Sequence, residues 1–186
     1  MKITICGIPE LGEHCAAGVT HVLSILDPGW PDPEAFADFP PHHREALRFN
    51  DVIAPIPGAT PPAADHVARL LAFGDDVMVA GAAAHLLIHC HAGISRSTAA
   101  AALLLAKEDP ERAAESIFAE IARLRPRAWP NLLMLEYGEA ALGRRGEFVA
   151  AVAAQYRRVI ANDPPFVAFI RDIGRGREVA LAEAQR

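Results

Sequence analysis

The chain has 186 residues, 52% of them apolar, with 18 basic and 23 acidic side chains and a net charge of −5. That suits one globular domain with a proper core; it excludes a disordered chain, and no run reaches the roughly 18 uninterrupted apolar residues of a spanning helix. The acidic balance argues against nucleic acid and against an anionic membrane surface, the N-terminus lacks the basic-then-apolar pattern of a secretory signal, and three cysteines (Cys6, Cys15, Cys90) make no disulfide framework.

In chain order, Lys2 to Cys6 is a short apolar strand closed by Gly7, and Glu10 to Ala17 a short helix ended by Gly18. His21 to Leu26 is a second strand, stopped by Asp27-Pro28-Gly29. The proline-rich stretch from Trp30 to His43 is mostly loop, with a helical turn near Glu34 to Ala37. Phe49 and its neighbours form a short strand, and Asp51 opens a Pro/Gly-rich loop. Thr60-Pro61 is an N-cap with proline at the first helical position; that helix runs to about Phe73, with Gly74 at its end.

The segment from Asp75 to Ala84 has no clear pattern. His85 to His89 is a strand apolar enough to be covered on both faces. Helices follow at Ser97 to Lys107, from Asp109-Pro110 to about Leu124, and at Pro130 to Leu142. Strands alternating with helices, then a run of helices, predict an α/β fold with a central, mostly parallel sheet flanked by helices. Beyond Arg144, Glu147 to Ala161 carries a helical apolar stripe, Pro164-Pro165 breaks it, and Phe166 to Ile173 starts another short helix. Gly174-Arg175-Gly176 leads into a polar tail. These extra C-terminal helices are expected to pack on the same domain; a homodimer contact or a lid over a site is the alternative. Alanine bias fits a high-GC, bacterial genome.

The chemistry concentrates in Leu86-Leu87-Ile88-His89-Cys90-His91-Ala92-Gly93-Ile94-Ser95-Arg96-Ser97-Thr98. An apolar strand runs into a cysteine, a glycine-containing loop follows, and a helix begins at an arginine. The thiolate is the nucleophile, and only a few per cent of a free thiol is ionised at neutral pH. A helix N-terminus and a ring of backbone N–H groups favour negative charge, so the loop can wrap a nest around one anion. Gly93 allows a close backbone approach, and Arg96 brings a planar fork that holds two phosphate oxygens. At average residue usage such a set of matches arises by chance on the order of once in a million positions. The structural alternative is a plain core cysteine. A metal reading of His85, His89, Cys90 and His91 fails because His89 and Cys90 point to opposite faces of a strand, with no second Cys/His pair at ligand spacing. His89 is expected to hydrogen-bond behind the loop, and His91 to sit at the rim.

This run resembles the Cys-x5-Arg signature of the cysteine-dependent protein tyrosine phosphatases. The resemblance is to the dual-specificity type and spans roughly Ile3 to Gly143. It is sharp at residues 86–98, fair at 47–51 and from Arg125 to Leu132, where Pro130-Asn131 opens a helix. It implies a phosphotyrosine-phosphatase-like fold over residues 1–143, with 144–186 as a helical extension. It also implies hydrolysis of phosphate monoesters through a cysteinyl-phosphate. Cys90 would be the nucleophile, Arg96 and the loop His91, Ala92, Gly93, Ile94 and Ser95 would hold phosphate, and the Ser97 hydroxyl would help sulfur leave. A first-turn cap is the structural alternative for Ser97.

For the general acid, Asp51 lies 39 residues before Cys90 in a strand-Asp-loop-helix order similar to that of the family. Asp32, in Trp30-Pro31-Asp32, carries the letters of a different family loop but lies 58 residues before Cys90, too far for it. Asp65 suits a helix first turn instead. No cofactor is implied. The substrate would be a phosphorylated protein or a small phosphate ester; the loop has no lysine of the kind phosphoinositide-directed members tend to carry. A nucleophilic thiol points to a reducing compartment, the cytoplasm. Cys6 and Cys15 are expected to be buried, and either could form a disulfide with an oxidised Cys90. A catalytically weak phospho-recognition module is the rival function. Arsenate reduction or sulfur transfer is a third, disfavoured because low-molecular-weight relatives carry the motif near the N-terminus.

Overall fold

The computed structural model describes residues 1–184. Four strands, β1 (Lys2–Gly7), β2 (His21–Leu26), β3 (His43–Arg48) and β4 (His85–Cys90), form one sheet in the order β1-β4-β2-β3, and every pairing is parallel. The expected mostly parallel sheet is thus parallel throughout. β2 and β4 lie inside and are buried at every position, their largely apolar sequences interrupted only by His21 and Ser24 and by His85 and His89.

The two-residue alternation of the strands sorts side chains between the faces. Ile5, Leu23, Ile25, Leu86, Ile88 and Cys90 join the main core beneath the helices. Cys6, Val22 and Leu87 face a smaller cluster with Leu11, Val19 and Phe39, roofed by 3₁₀ turns at Ile8–His14 and Glu34–Asp38.

The helices are α1 (Ala64–Val79), α2 (Arg96–Glu108), α3 (Ala114–Leu124), α4 (Leu132–Leu142), α5 (Glu147–Asn162), α6 (Pro164–Asp172) and α7 (Gly176–Ala184). α2 is buried from Arg96 to Ala106. Neighbouring helices approach it closely where their glycines meet its leucines. A Cβ on Gly74 of α1 would stand 2.5 Å from Leu104 Cδ2, and one on Gly138 of α4 would stand 2.1 Å from Leu103 Cδ2. α5 packs on α3 and α4, and α7 on α5.

Five local expectations are corrected. Gly74 does not end α1; helix packing explains it, and α1 continues to Val79. Nor does Thr60 cap that helix: Ala63 is the N-cap residue, and its N–H donates to His66 Nδ1 at 3.1 Å. After α2 the chain makes a turn, with Arg112 N donating to Asp109 O at 3.1 Å, so α3 starts at Ala114 and not at Pro110. The polar tail is a helix, α7, because Glu178, Val179 and Ala182 are buried. The third strand also ends at Arg48, just before Phe49. No helix among the described residues is long and apolar enough to cross a membrane.

Candidate active site

Cys90 ends β4 at the carboxyl edge of the sheet, where open α/β folds place their ligands. The loop His91–Ser95 then turns into the N-terminus of α2. Every carbonyl of this loop is taken up from outside. His91 O accepts from Ile8 N at 2.9 Å. Ala92 O and Gly93 O accept from Arg125 Nη2 and Nε at 3.2 and 3.1 Å. Ile94 O accepts from Trp129 N at 2.9 Å, and Ser95 O from Ala99 N at 3.0 Å and Asn131 N at 3.4 Å. A planar peptide sets the next N–H opposite its C=O. The N–H groups of Ala92 to Arg96 are therefore turned inward, toward the space above the Cys90 sulfur. Among the described residues none of them donates to a backbone carbonyl.

Gly93 makes this turn possible. Its φ is +69°, and a Cβ there would lie 2.5 Å from Cys6 C and 2.7 Å from Gly7 N, backbone atoms that cannot give way. Gly93→Ala is expected to cost about 2 kcal/mol or more, a Tm drop of about 4–8 °C, and to spoil the nest. Thermal melting and phosphate binding check both effects.

Arg96 is buried at the mouth of α2. Its Nη1 donates to Asp27 Oδ1 at 2.6 Å and to Phe49 O at 2.7 Å. Its Nε is buried with no partner among the described residues. A buried charged donor left unmatched costs on the order of 1–3 kcal/mol or more, which an oxyanion in the nest would relieve. Ser97 Oγ lies 3.3 Å from Cys90 Sγ.

Asp51 reaches the same space from the loop after β3. Its Oδ1 accepts from Ser95 Oγ at 2.7 Å and Asn131 Nδ2 at 2.8 Å, and pairs with Arg175 Nη1 at 3.1 Å. Burial works to raise its pKa; Arg175 first, then Arg96, with the bonds from Asn131 and Ser95, outweigh burial and hold it below the ordinary carboxylate value. Asp32 instead pairs with Arg44 at 2.8 Å and with Arg48, and does not line the pocket. Asp65 is exposed in the first turn of α1.

The histidines separate. His89 Nε2 lies 2.6 Å from Ser24 Oγ on β2, and burial lowers its pKa to about 4, so it is neutral. His91 is half-buried, not open at the rim: its Nε2 accepts from Asp27 N at 3.2 Å, and the Trp30 ring packs edge-on against it at 4.5 Å. His85 lies on the same face of β4 as His89, behind the sheet from Cys90, 2.8 Å from Thr4 Oγ1. Cys6 is buried, and burial, then Glu10, pushes its thiol up to about 12. Cys15 is only half-buried: it follows the 3₁₀ turn and packs against the edge of the smaller cluster.

Several site residues escaped sequence reading. Arg125, held by Glu10 Oε1 at 2.8 Å, buttresses the loop. Asp27 anchors Arg96. Its signal was its place at the end of β2, on the same sheet edge as Cys90. Arg175 and Glu178, from the supposed tail, form an ion pair buried on both sides. Removing one partner of such a pair costs about 3–5 kcal/mol. A pocket of about 290 Å³ opens here, lined by Asp51, Cys90 and the loop on one side and by Phe166, Phe169, Ile170 and Ile173 of the α6 segment on the other.

No protein-family model matches the sequence, and no curated protein matches it in sequence. Solved structures do match in fold. Human DUSP28 aligns at 19% identity over 76% of this chain and 94% of its own, with a TM-score of 0.56. PTPMT1, crystallised with PI(5)P, aligns at 14% identity over 76% of this chain and 90% of its own, with a TM-score of 0.56. The human tyrosine phosphatase-like serine/threonine/tyrosine-interacting protein aligns at 21% identity over 73% and 82%, with a TM-score of 0.53. The chain has the fold of the cysteine-dependent phosphatases of the dual-specificity type.

Proposed function

We propose that the chain is a cysteine-dependent phosphoric monoester hydrolase of the protein-tyrosine-phosphatase type. The observation that carries this reading is the outward bonding of every loop carbonyl, which leaves five N–H groups and the unmatched Arg96 Nε for one oxyanion above Cys90. The Cys90 thiolate attacks phosphorus in line, forming the P–S bond as the P–O bond to the leaving group breaks. Asp51 gives its proton to the leaving oxygen. Water then attacks phosphorus, its proton passes to the ionised Asp51, and the P–S bond breaks with Ser97 assisting the sulfur. The nest and Arg96 hold the equatorial oxygens throughout, where charge is stabilised without reorganisation.

The loop from His91 to Arg96 carries one cation, Arg96, and the wall opposite it, formed by Phe166, Phe169, Ile170 and Ile173, is apolar. Exposed Phe169 and Ile173 stand at its mouth, with Trp30 beside His91. This supports a phosphotyrosine side chain or another aryl phosphate over a polyphosphorylated sugar. Residues 144–184 are taken as part of the same catalytic unit, acting in a reducing compartment such as the cytoplasm. No metal or organic cofactor enters this mechanism.

The test is hydrolysis of p-nitrophenyl phosphate by reduced protein in EDTA. Turnover should persist in EDTA and stop with vanadate or with iodoacetate. The low pKa of Asp51 is the one observation favouring the rival, a weakly catalytic phospho-recognition module. Tight phosphate binding without turnover would establish that rival.

A further inference from the structure

The chemistry above uses nothing beyond Asn131, yet a guanidinium from the C-terminal segment sits within the same contact shell. Arg175 follows the turn that ends α6, where Gly174 has φ +81° and Arg175 N donates to Ile170 O at 3.0 Å. Its side chain is 3% exposed. Arg175 Nε and Nη2 donate to the two oxygens of Glu178 at 2.9 and 2.6 Å. Glu178 is itself fully buried and fixed by Trp129 Nε1 at 2.5 Å and Leu132 N at 3.1 Å. A planar fork gripped at two atoms cannot swing. Nη1 is therefore aimed at one place, and that place holds Ser95 Oγ at 2.8 Å and Asp51 Oδ1 at 3.1 Å. Trp129 and Leu132 flank Asn131, so one stretch of chain braces both the clamp and Asp51.

We propose that Arg175 is a positioning residue for the acid–base step: clamped by Glu178, it fixes Asp51 Oδ1 and leaves Oδ2 to pass the proton to the leaving oxygen. This rests on the reading of Asp51 as the proton donor. Three donors converge on Oδ1, which concentrates negative charge there and leaves the other oxygen as the place for a proton. The groups facing Asp51 are Arg175 from before α7, Arg96 from α2, and Cys90 and His91 from the end of β4. Behind the two arginines stand Glu178 with Tyr156, and Asp27. Burial alone would favour discharging Arg175, but Asp51 and Glu178 more than offset it and keep the guanidinium charged.

Two variants test the role. Arg175→Lys keeps the charge but loses the fork. Arg175→Gln with Glu178→Gln removes both charges together, so no buried ion is stranded. A misplaced acid matters most when the leaving group is poor. Arg175→Lys should therefore lose about tenfold more turnover on phenyl phosphate than on p-nitrophenyl phosphate. In the Gln pair, burial is left to act on Asp51 with one cation fewer. The basic limb of the turnover profile should then move up by about one pH unit or more. A purely structural Arg175 would lower turnover of both esters alike and leave the limb in place, and that result overturns the proposal. The Lys comparison decides by itself if the Gln pair melts early. Wild-type protein that is inactive, or active without Cys90, would instead refute the phosphatase reading, and would do so before any Arg175 variant is made.

Discussion

Cys90→Ser is expected to lower turnover of p-nitrophenyl phosphate on the order of 10⁵-fold while inorganic phosphate still binds within about threefold of wild type. The two readouts separate because the two tasks fall on different atoms. Attack needs an ionised sulfur, and a serine hydroxyl remains protonated at every working pH. Binding uses the inward N–H groups of Ala92 to Arg96 and the Arg96 fork. These are held by Arg125, Ile8, Trp129 and Asp27, whereas the sulfur's hydrogen-bond partner is Ser97. Serine is smaller than cysteine, so the swap adds no clash at a position only 2% exposed. Single-turnover kinetics and calorimetric titration with phosphate measure the pair. Appreciable turnover by Cys90→Ser would remove Cys90 from the mechanism; loss of phosphate binding would mean that the nest depends on the thiol.

The centre of this site was legible because it is local. Strand, cysteine, glycine turn, arginine and helix follow one another within thirteen residues, and each has a physical reason to sit where it does. The two-residue period also placed His89 behind the sheet and Cys90 in front, as the separate clusters around them require. What stayed hidden is the scaffolding brought from far along the chain. Asp27, Glu10, Arg125 and Arg175 are ordinary surface-type residues in the sequence; only the parallel sheet edge and the helix packing gather them. Arg175 and Glu178 read as a polar tail because charge predicts exposure. That rule fails when two opposite charges are buried as a hydrogen-bonded pair. Gly74 read as a helix end for a similar reason: glycine's commonest helical role is at the C-terminus, and the close approach of Leu104 is a tertiary fact. The Asp109-Pro110 pair carried the signature of a helix start but forms the turn after α2, four residues before α3.

Asp51→Asn should cost about 10²- to 10³-fold in turnover of phenyl phosphate and abolish the fall of turnover on the basic side. The amide oxygen of asparagine can still accept from Ser95, Asn131 and Arg175, so the wall of the pocket keeps its shape. It cannot give a proton. The sign follows from the environment of Asp51. Arg175, Arg96 and two neutral donors hold the folded pKa below the ordinary carboxylate value despite burial. The protonated, proton-donating form therefore gains population only as the pH falls toward that value, and turnover should peak on the acid side of neutrality. The ionised form that activates water dominates above it. The same depression contributes stability that is fully present above the unfolded carboxylate pKa and is lost as the pH falls through the folded one. Asp51→Asn should thus flatten the acid side of the Tm-against-pH curve as well as the basic side of the rate profile. A variant as active as wild type on phenyl phosphate would make Asp51 an anchor for Ser95 and Arg175. In that case the proton for the leaving group would come from elsewhere.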